Sequence, residues 1–145
     1  MRIARFRWWH IAEVLPIEED LFGAEKWSAA MFWNELAQRH FYLVAVDERA
    51  VLGYAGLSVI GTDESWVQNI AVRRTAQRRG VGRLLLEDLL DEAARRGVRQ
   101  TLLEVAVDNA PAQHLYARYD FEPVGIRRGY YQPSNTDALV MMRHA

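Results

Sequence analysis

The chain has no cysteine. That one absence removes disulfides, thiolate metal sites and a cysteine nucleophile together. Serine is scarce, and Ser28, Ser58, Ser65 and Ser134 all lack the glycine-flanked elbow of a hydrolase. The four histidines, at 10, 40, 114 and 144, show no metal-ligand spacing, so neither covalent nor metal catalysis is expected. No long apolar run exists: the longest charge-free stretch, 50–62, falls short of the roughly 18 residues a membrane span needs. The basic N-terminus has no apolar segment behind it, so no signal peptide is expected and the cytoplasm is the default compartment. Charge of one sign is also missing. A formal net charge of -1 gives no general attraction to polyanions, so nucleic acid would need a local basic patch.

What is present is an ordinary globular composition, 50% hydrophobic and 26% charged over 145 residues. That length suits one domain, residues 1–145, with no repeat or linker dividing it. Residues 2–7 predict a short strand, followed by helices over 8–21 and 28–38, the second capped by Ser28. "FYLVAV" (41–46), "VLGYAGLSVI" (51–60) and "SWVQNIAV" (65–72) predict an antiparallel meander. Residues 80–96 predict the clearest helix. Val81, Leu84, Leu85, Leu89 and Ala93 form its apolar stripe, Asp91/Arg95 and Glu92/Arg96 pair on its exposed side, and Gly97 stops it. "TLLEVAV" (101–107) predicts a strand, 110–118 a short helix, and the C-terminal stretch a last antiparallel pair. The order implies a mixed sheet with helices on its faces, α/β or α+β.

The stretch "QRRGVGR" (77–83) opens the long helix, where backbone N–H groups and the helix dipole favour an anion. Three nucleotide chemistries use such loops. A P-loop is excluded because no Lys-Ser/Thr follows the glycines. A dinucleotide fingerprint is also a poor fit, despite an acidic residue downstream in a strand (Glu104). Leu85 stands where the third small residue belongs, and the sheet begins as an antiparallel meander. Coenzyme A fits better: Arg73, Arg74, Arg78, Arg79 and Arg83 place five cations within eleven residues of a would-be pyrophosphate. The bland reading, a solvated arginine-rich turn, stays open on these residues alone.

The loop matches the Gln/Arg-x-x-Gly-x-Gly/Ala acetyl-CoA motif of the GNAT N-acetyltransferases. The ordered segments "QNIAV", "LLEV", "DNAPAQHLY" and "RRGYY", with "FWNEL" near the start, resemble the branch that acetylates the N-terminal alanine of a ribosomal protein. The resemblance runs through most of the chain and implies a GNAT fold, splayed between the fourth and fifth strands. It also implies acetyl-CoA as co-substrate with no metal, a protein N-terminus as acceptor, and a monomer or weak homodimer with no direct nucleic acid or membrane partner. By resemblance Glu104 is the general base and Tyr116 the proton donor. Asn109, otherwise a plain helix cap, would also touch the cofactor. Ile70, Ala71 and Val72 would pair with the pantetheine arm, and the amides of Arg78, Arg79, Gly80, Val81, Gly82 and Arg83 with the pyrophosphate. Trp27, Tyr130 and Tyr131 would flank the acceptor slot. Adjacent tyrosines in a strand face opposite ways, so one is expected to pack and the other to meet the peptide, with Tyr131 slightly favoured for the peptide.

Three positions depart from the branch. Asp120 replaces a glycine and would strain the backbone if φ is positive there. Ala106 replaces an arginine two residues past the base, so a charge that tunes Glu104 or meets substrate is expected to be missing. Lys26-Trp27 replaces Pro-Trp, which suggests a looser acceptor loop. Other protein N-termini, lysines or small amines as acceptors, and a non-catalytic acyl-CoA-binding module, are alternatives. An RNA-binding domain on the arginine cluster has neither a recognised motif nor a favourable net charge.

Overall fold

The computed structural model describes residues 1–144. In chain order the elements are β1 (Arg2–Arg5), α1 (Ile11–Phe22), α2 (Ala29–Ala37), β2 (Phe41–Val46), β3 (Val51–Ile60), β4 (Glu64–Val72), α3 (Val81–Arg95), β5 (Gln100–Ala106), α4 (Ala110–Ala117), β6 (Glu122–Tyr131) and β7 (Thr136–His144). Short 3-10 turns precede α1, join it to α2, and lead into the glycine loop. The seven strands form one sheet in the order β1-β2-β3-β4-β5-β7-β6. Every pairing is antiparallel except β4 with β5.

Two apolar cores flank the sheet. On one face α1 and α2 pack through Ile11, Val14, Ile17 and Phe32 against Phe6, Tyr42, Val44 and Tyr54. On the other, α3 buries Leu85, Leu86 and Leu89 completely against Leu43, Leu57, Leu103 and Met141. Each such leucine is worth roughly 1.5–3 kcal/mol of burial, so the start of α3 is held firmly over the sheet. Ser28 caps α2 by accepting from the Met31 N–H, as its position predicts. Of the two ion pairs expected on α3, only Glu92–Arg96 forms as drawn. Arg95 pairs with Glu92 rather than Asp91, because Glu92 is buried and gains more from a second cation.

The decisive feature is how little β4 and β5 share. Their register covers three pairs: Glu64↔Gln100, Ser65↔Thr101 and Trp66↔Leu102. The Ser65 and Thr101 hydroxyls, 2.8 Å apart and buried, stitch that end together. Beyond it β4 carries a bulge: Leu57 pairs with Val67 and Gly56 with Asn69, leaving Gln68 as the extra residue. The strand bends with β3 and away from β5, which stays paired with β7 as far as Ala106↔Ala138. The expected splay between the fourth and fifth strands is present.

Asp120, just past α4, has φ 67°. The Phe121 N–H reaches back 3.2 Å to the Tyr116 carbonyl, holding the chain in that left-handed turn. Replacing Asp120 with glycine should remove the steric cost and stabilise the fold by about 0.5–1 kcal/mol. Urea denaturation should show a higher midpoint with unchanged slope.

Candidate active site

Where β4 leaves β5, a cavity of about 610 Å³ opens. Its walls include Ile70, Ala71 and Val72 on β4, Glu104 on β5, Asn109 and Tyr116 at α4, Trp27 before α2, and Tyr131 at the end of β6. Eight of the residues singled out from the sequence therefore meet at one place. Tyr130 and the glycine-loop residues 78–83 are not in this wall. A second, open concavity of about 520 Å³ lies between β1 and the β2–β3 turn, lined partly by Arg2, Arg5 and Arg7, and holds none of them.

Glu104 sits mid-strand opposite Val140. Its side chain is 17% exposed, and Oε2 is closed to solvent and receives no hydrogen bond. A carboxylate oxygen so placed is costly unless a charge stands by it. That charge is present: Arg127 Nε lies 3.3 Å from Glu104 Oε2. The expectation that Ala106 leaves Glu104 without a cation is overturned, because β6 delivers one from two strands away.

Tyr116 is buried, packs edge-on to Phe121 at 5.9 Å between centroids, and has its phenol pushed well above the ordinary tyrosine range by burial and then by Tyr131. It stays protonated across the neutral range and can only donate. Tyr131 is raised for the same first reason, with Tyr130, Glu104 and Glu25 adding to it. The two tyrosines do not face opposite ways as strand alternation predicts. Gly129, at φ 60°, accompanies a register shift between Arg127 and Tyr131, and the two rings meet edge to face at 5.1 Å. Tyr130 consequently lies beside Glu104, which raises its phenol after burial has done so.

The glycine loop turns sharply into α3. Arg78 at φ 65° and Gly80 at φ 78° reverse the chain just before α3, whose first-turn amides have no partner within the helix. The Gln77 side-chain amide donates to the Val72 carbonyl at 3.0 Å and ties the loop to β4. The five arginines do not act as one group. Arg73 donates to the Val51 carbonyl and Arg74 pairs with Asp20. Arg78, Arg79 and Arg83 are exposed around the loop. Asn109 caps α4 by accepting from the Ala112 N–H.

On the α1–α2 side two buried glutamates that the sequence reading did not single out hold the framework. Glu18 accepts from the Tyr54 hydroxyl and, at 2.8 Å, from the Trp27 N–H. Burial nevertheless lifts its carboxyl above the usual range. Glu35 accepts from Tyr42 at 2.7 Å and from Gln68, the bulge residue, at 3.0 Å. The expected looseness at Lys26-Trp27 is not found: the Trp27 backbone is tied to Glu18 and its ring packs on Phe32 at 5.3 Å. The signal was available, since Glu18 follows Ile11 and Val14 at inward-facing helical steps. Asn69, also in the cavity wall, has both amide atoms buried without a partner. The wall carries the acids Glu18, Glu25, Glu104 and Asp108, with no lysine or arginine among the described residues lining it.

A sheet splayed between its two parallel strands, a glycine turn opening the helix packed over it, and a carboxylate and a phenol lining one wedge are the features of a coenzyme-dependent acyl transferase. The chain belongs to the Acetyltransferase (GNAT) family, whose model matches residues 5–121. It is 43% identical over 132 residues to the N-alpha-acetyltransferase RimI of Mycobacterium tuberculosis, covering 88% of this chain and 82% of that protein. It is 38% identical over 117 residues to the ribosomal protein bS18-alanine N-acetyltransferase of Salmonella typhimurium, covering 79% and 78%. The crystal structure of the ribosomal-protein-S18-alanine N-acetyltransferase from Escherichia coli superposes with a TM-score of 0.89 at 32% identity, over 99% of this chain and 92% of that one. Acetyl transfer is the activity of this family.

Removing the Glu18 side chain should free the Trp27 loop. In Glu18→Ala the Trp27 amide should exchange with deuterium at least tenfold faster than in the wild type, matching the roughly 1–3 kcal/mol at stake when buried donors lose a charged acceptor. Core amides of α3 should keep their protection.

Proposed function

We propose that the protein transfers an acetyl group from acetyl-CoA to the α-amine of a protein N-terminus that begins with alanine, the ribosomal protein bS18 being the acceptor that several relatives' names specify. One observation carries this reading: a nearly buried carboxylate, Glu104, and a fully protonated phenol, Tyr116, line the same wedge in an acid-walled cavity. Neither alone would serve.

The residues fit the donor. Phosphates suit the first-turn amides of Gly80, Val81, Gly82 and Arg83, with the exposed Arg78, Arg79 and Arg83 around them. Past Trp66 the edge of β4 has no strand partner, so backbone of Ile70, Ala71 and Val72 is open to a pantetheine amide. Asn109 would border the same arm. Acetyl-CoA supplies the activated acyl group as a thioester.

An α-amine has a pKa of about 8 and is mostly protonated at neutral pH. The acid wall attracts the ammonium, and Glu104 takes its proton, which frees the lone pair for attack on the thioester carbon. As the carbon–sulfur bond breaks, Tyr116 gives its proton to the departing sulfur. The nitrogen sheds a second proton as the amide forms, and that proton restores the Tyr116 phenol, so the net proton released is the one taken by Glu104, with no covalent enzyme species. Trp27 and Tyr131 border the acceptor side, Tyr130 stands beside Glu104, and Asn69 offers an unpaired amide to the peptide.

Mass spectrometry of a peptide panel after incubation with acetyl-CoA should place the acetyl group on the N-terminal nitrogen of alanine-initiated peptides. Glu104→Gln should lower kcat about 100-fold or more, and Tyr116→Phe should lower it in the same direction. Product found only on lysine side chains would overturn the acceptor assignment.

A further inference from the structure

Glu104 has a positively charged neighbour that the acceptor slot itself does not contain. Arg127 lies 3.3 Å from Glu104 Oε2 and is 52% exposed, on the edge strand β6. Its guanidinium is also flanked by rings, with the Trp66 centroid at 5.8 Å and the Tyr130 centroid at 5.9 Å. Planar cations are held well by such faces. Trp66 sits on β4 at the last residue pair before the splay, and Tyr130 follows the β6 bulge. The guanidinium thus bridges both strands that frame β5 and β7. It is absent from the cavity wall, so it meets Glu104 outside the slot and leaves the slot itself clear for an amine.

The other ionisable groups that line the cavity or lie beside Glu104 are acidic or neutral. Tyr130 and Tyr131 come from β6, Glu18 from α1, Glu25 from the turn after it, Asp108 from the turn after β5, and Tyr116 from α4. Three are carboxylates and three are phenols. Arg127 is the cation that offsets them. We propose that Arg127 is a positioning residue for acetyl transfer: it supplies the counter-charge of the base and fixes its carboxylate from outside the substrate slot, while Trp66 and Tyr130 fix Arg127. This rests on the proposed role of Glu104.

The test compares wild type, Arg127→Gln and Arg127→Lys on an alanine-initiated peptide across pH. Arg127→Gln should lower kcat about tenfold at pH 7, move the acidic limb of kcat/KM to higher pH, and leave the KM for acetyl-CoA within twofold. Arg127→Lys should restore most of the lost rate by returning the charge. A kcat within twofold of wild type and an unmoved acidic limb in Arg127→Gln would overturn the proposal. So would a loss that lysine cannot restore and that comes with an equal rise in both KM values, the pattern of simple distortion. A second readout needs no turnover: the Arg127 Nε–H signal, identified by its absence in Arg127→Gln, should move in Glu104→Gln by 15N NMR, and an unmoved signal would show that the two side chains do not pair. If the wild type acetylates no N-terminal amine, the functional reading falls, and this signal alone decides whether Arg127 holds Glu104.

Discussion

The structure depends on an unfinished strand pairing. β4 and β5 begin parallel, exchange three residue pairs, and then part because Gln68 inserts an extra residue into β4. Parallel neighbours normally continue their ladder, since an abandoned ladder leaves backbone groups unpaired. Here the abandonment is enforced from both sides. β3 holds β4 on its far edge up to Gly53↔Val72, and β7 holds β5 up to Ala106↔Ala138. The bulge is itself anchored, because the Gln68 side chain reaches Glu35 within the second buried-carboxylate network. The wedge is thus part of the folded state, and everything with chemical potential in this chain is arranged along it.

Two charges of opposite sign divide the labour at that wedge. The turn into α3 is basic, with first-turn amides and exposed arginines nearby. The cavity wall is acidic and made of side chains, Glu18, Glu25, Glu104 and Asp108. Under the proposed function, an anionic donor would be drawn to the first and a cationic acceptor to the second, which favours productive orientation before any specific contact forms. Three further cations have fixed partners: Arg73 the Val51 carbonyl, Arg74 the surface Asp20, and Arg127 the Glu104 carboxylate.

Much of this was legible in the sequence, and the reasons for what was not are physical. The glycine loop, Glu104, Asn109 and Tyr116 lie in contiguous motifs with fixed spacing, so residue type and order single them out, and the last three line one cavity. Element order was legible for the same reason, with ends off by one to three residues where caps and 3-10 turns intervene. Most of what failed involved residues distant in sequence, the tyrosine pair being the local exception. Strand alternation gives Tyr130 and Tyr131 opposite faces, but the bulge after Arg127 sets the rings against each other. Ala106 suggested a missing charge because the compensating Arg127 lies two strands over, on β6. Arg73 and Arg74 counted with the loop until the Val51 carbonyl and Asp20 claimed them. No local pattern in one sequence encodes those partnerships.

The seam in the sheet also bears on how the molecule would come apart. On one side, β1 to β4 carry the α1–α2 core; on the other, β5, β7 and β6 hang together through β7. The backbone ladder joins these halves over three residue pairs alone, and α3 spans them as a splint. A molecule that threads the seam and pairs with β4 would act as a missing rung, converting two loosely coupled plates into one mechanical unit. Occupancy then contributes to rigidity as well as to chemistry, by the linkage that ties ligand affinity to the native state.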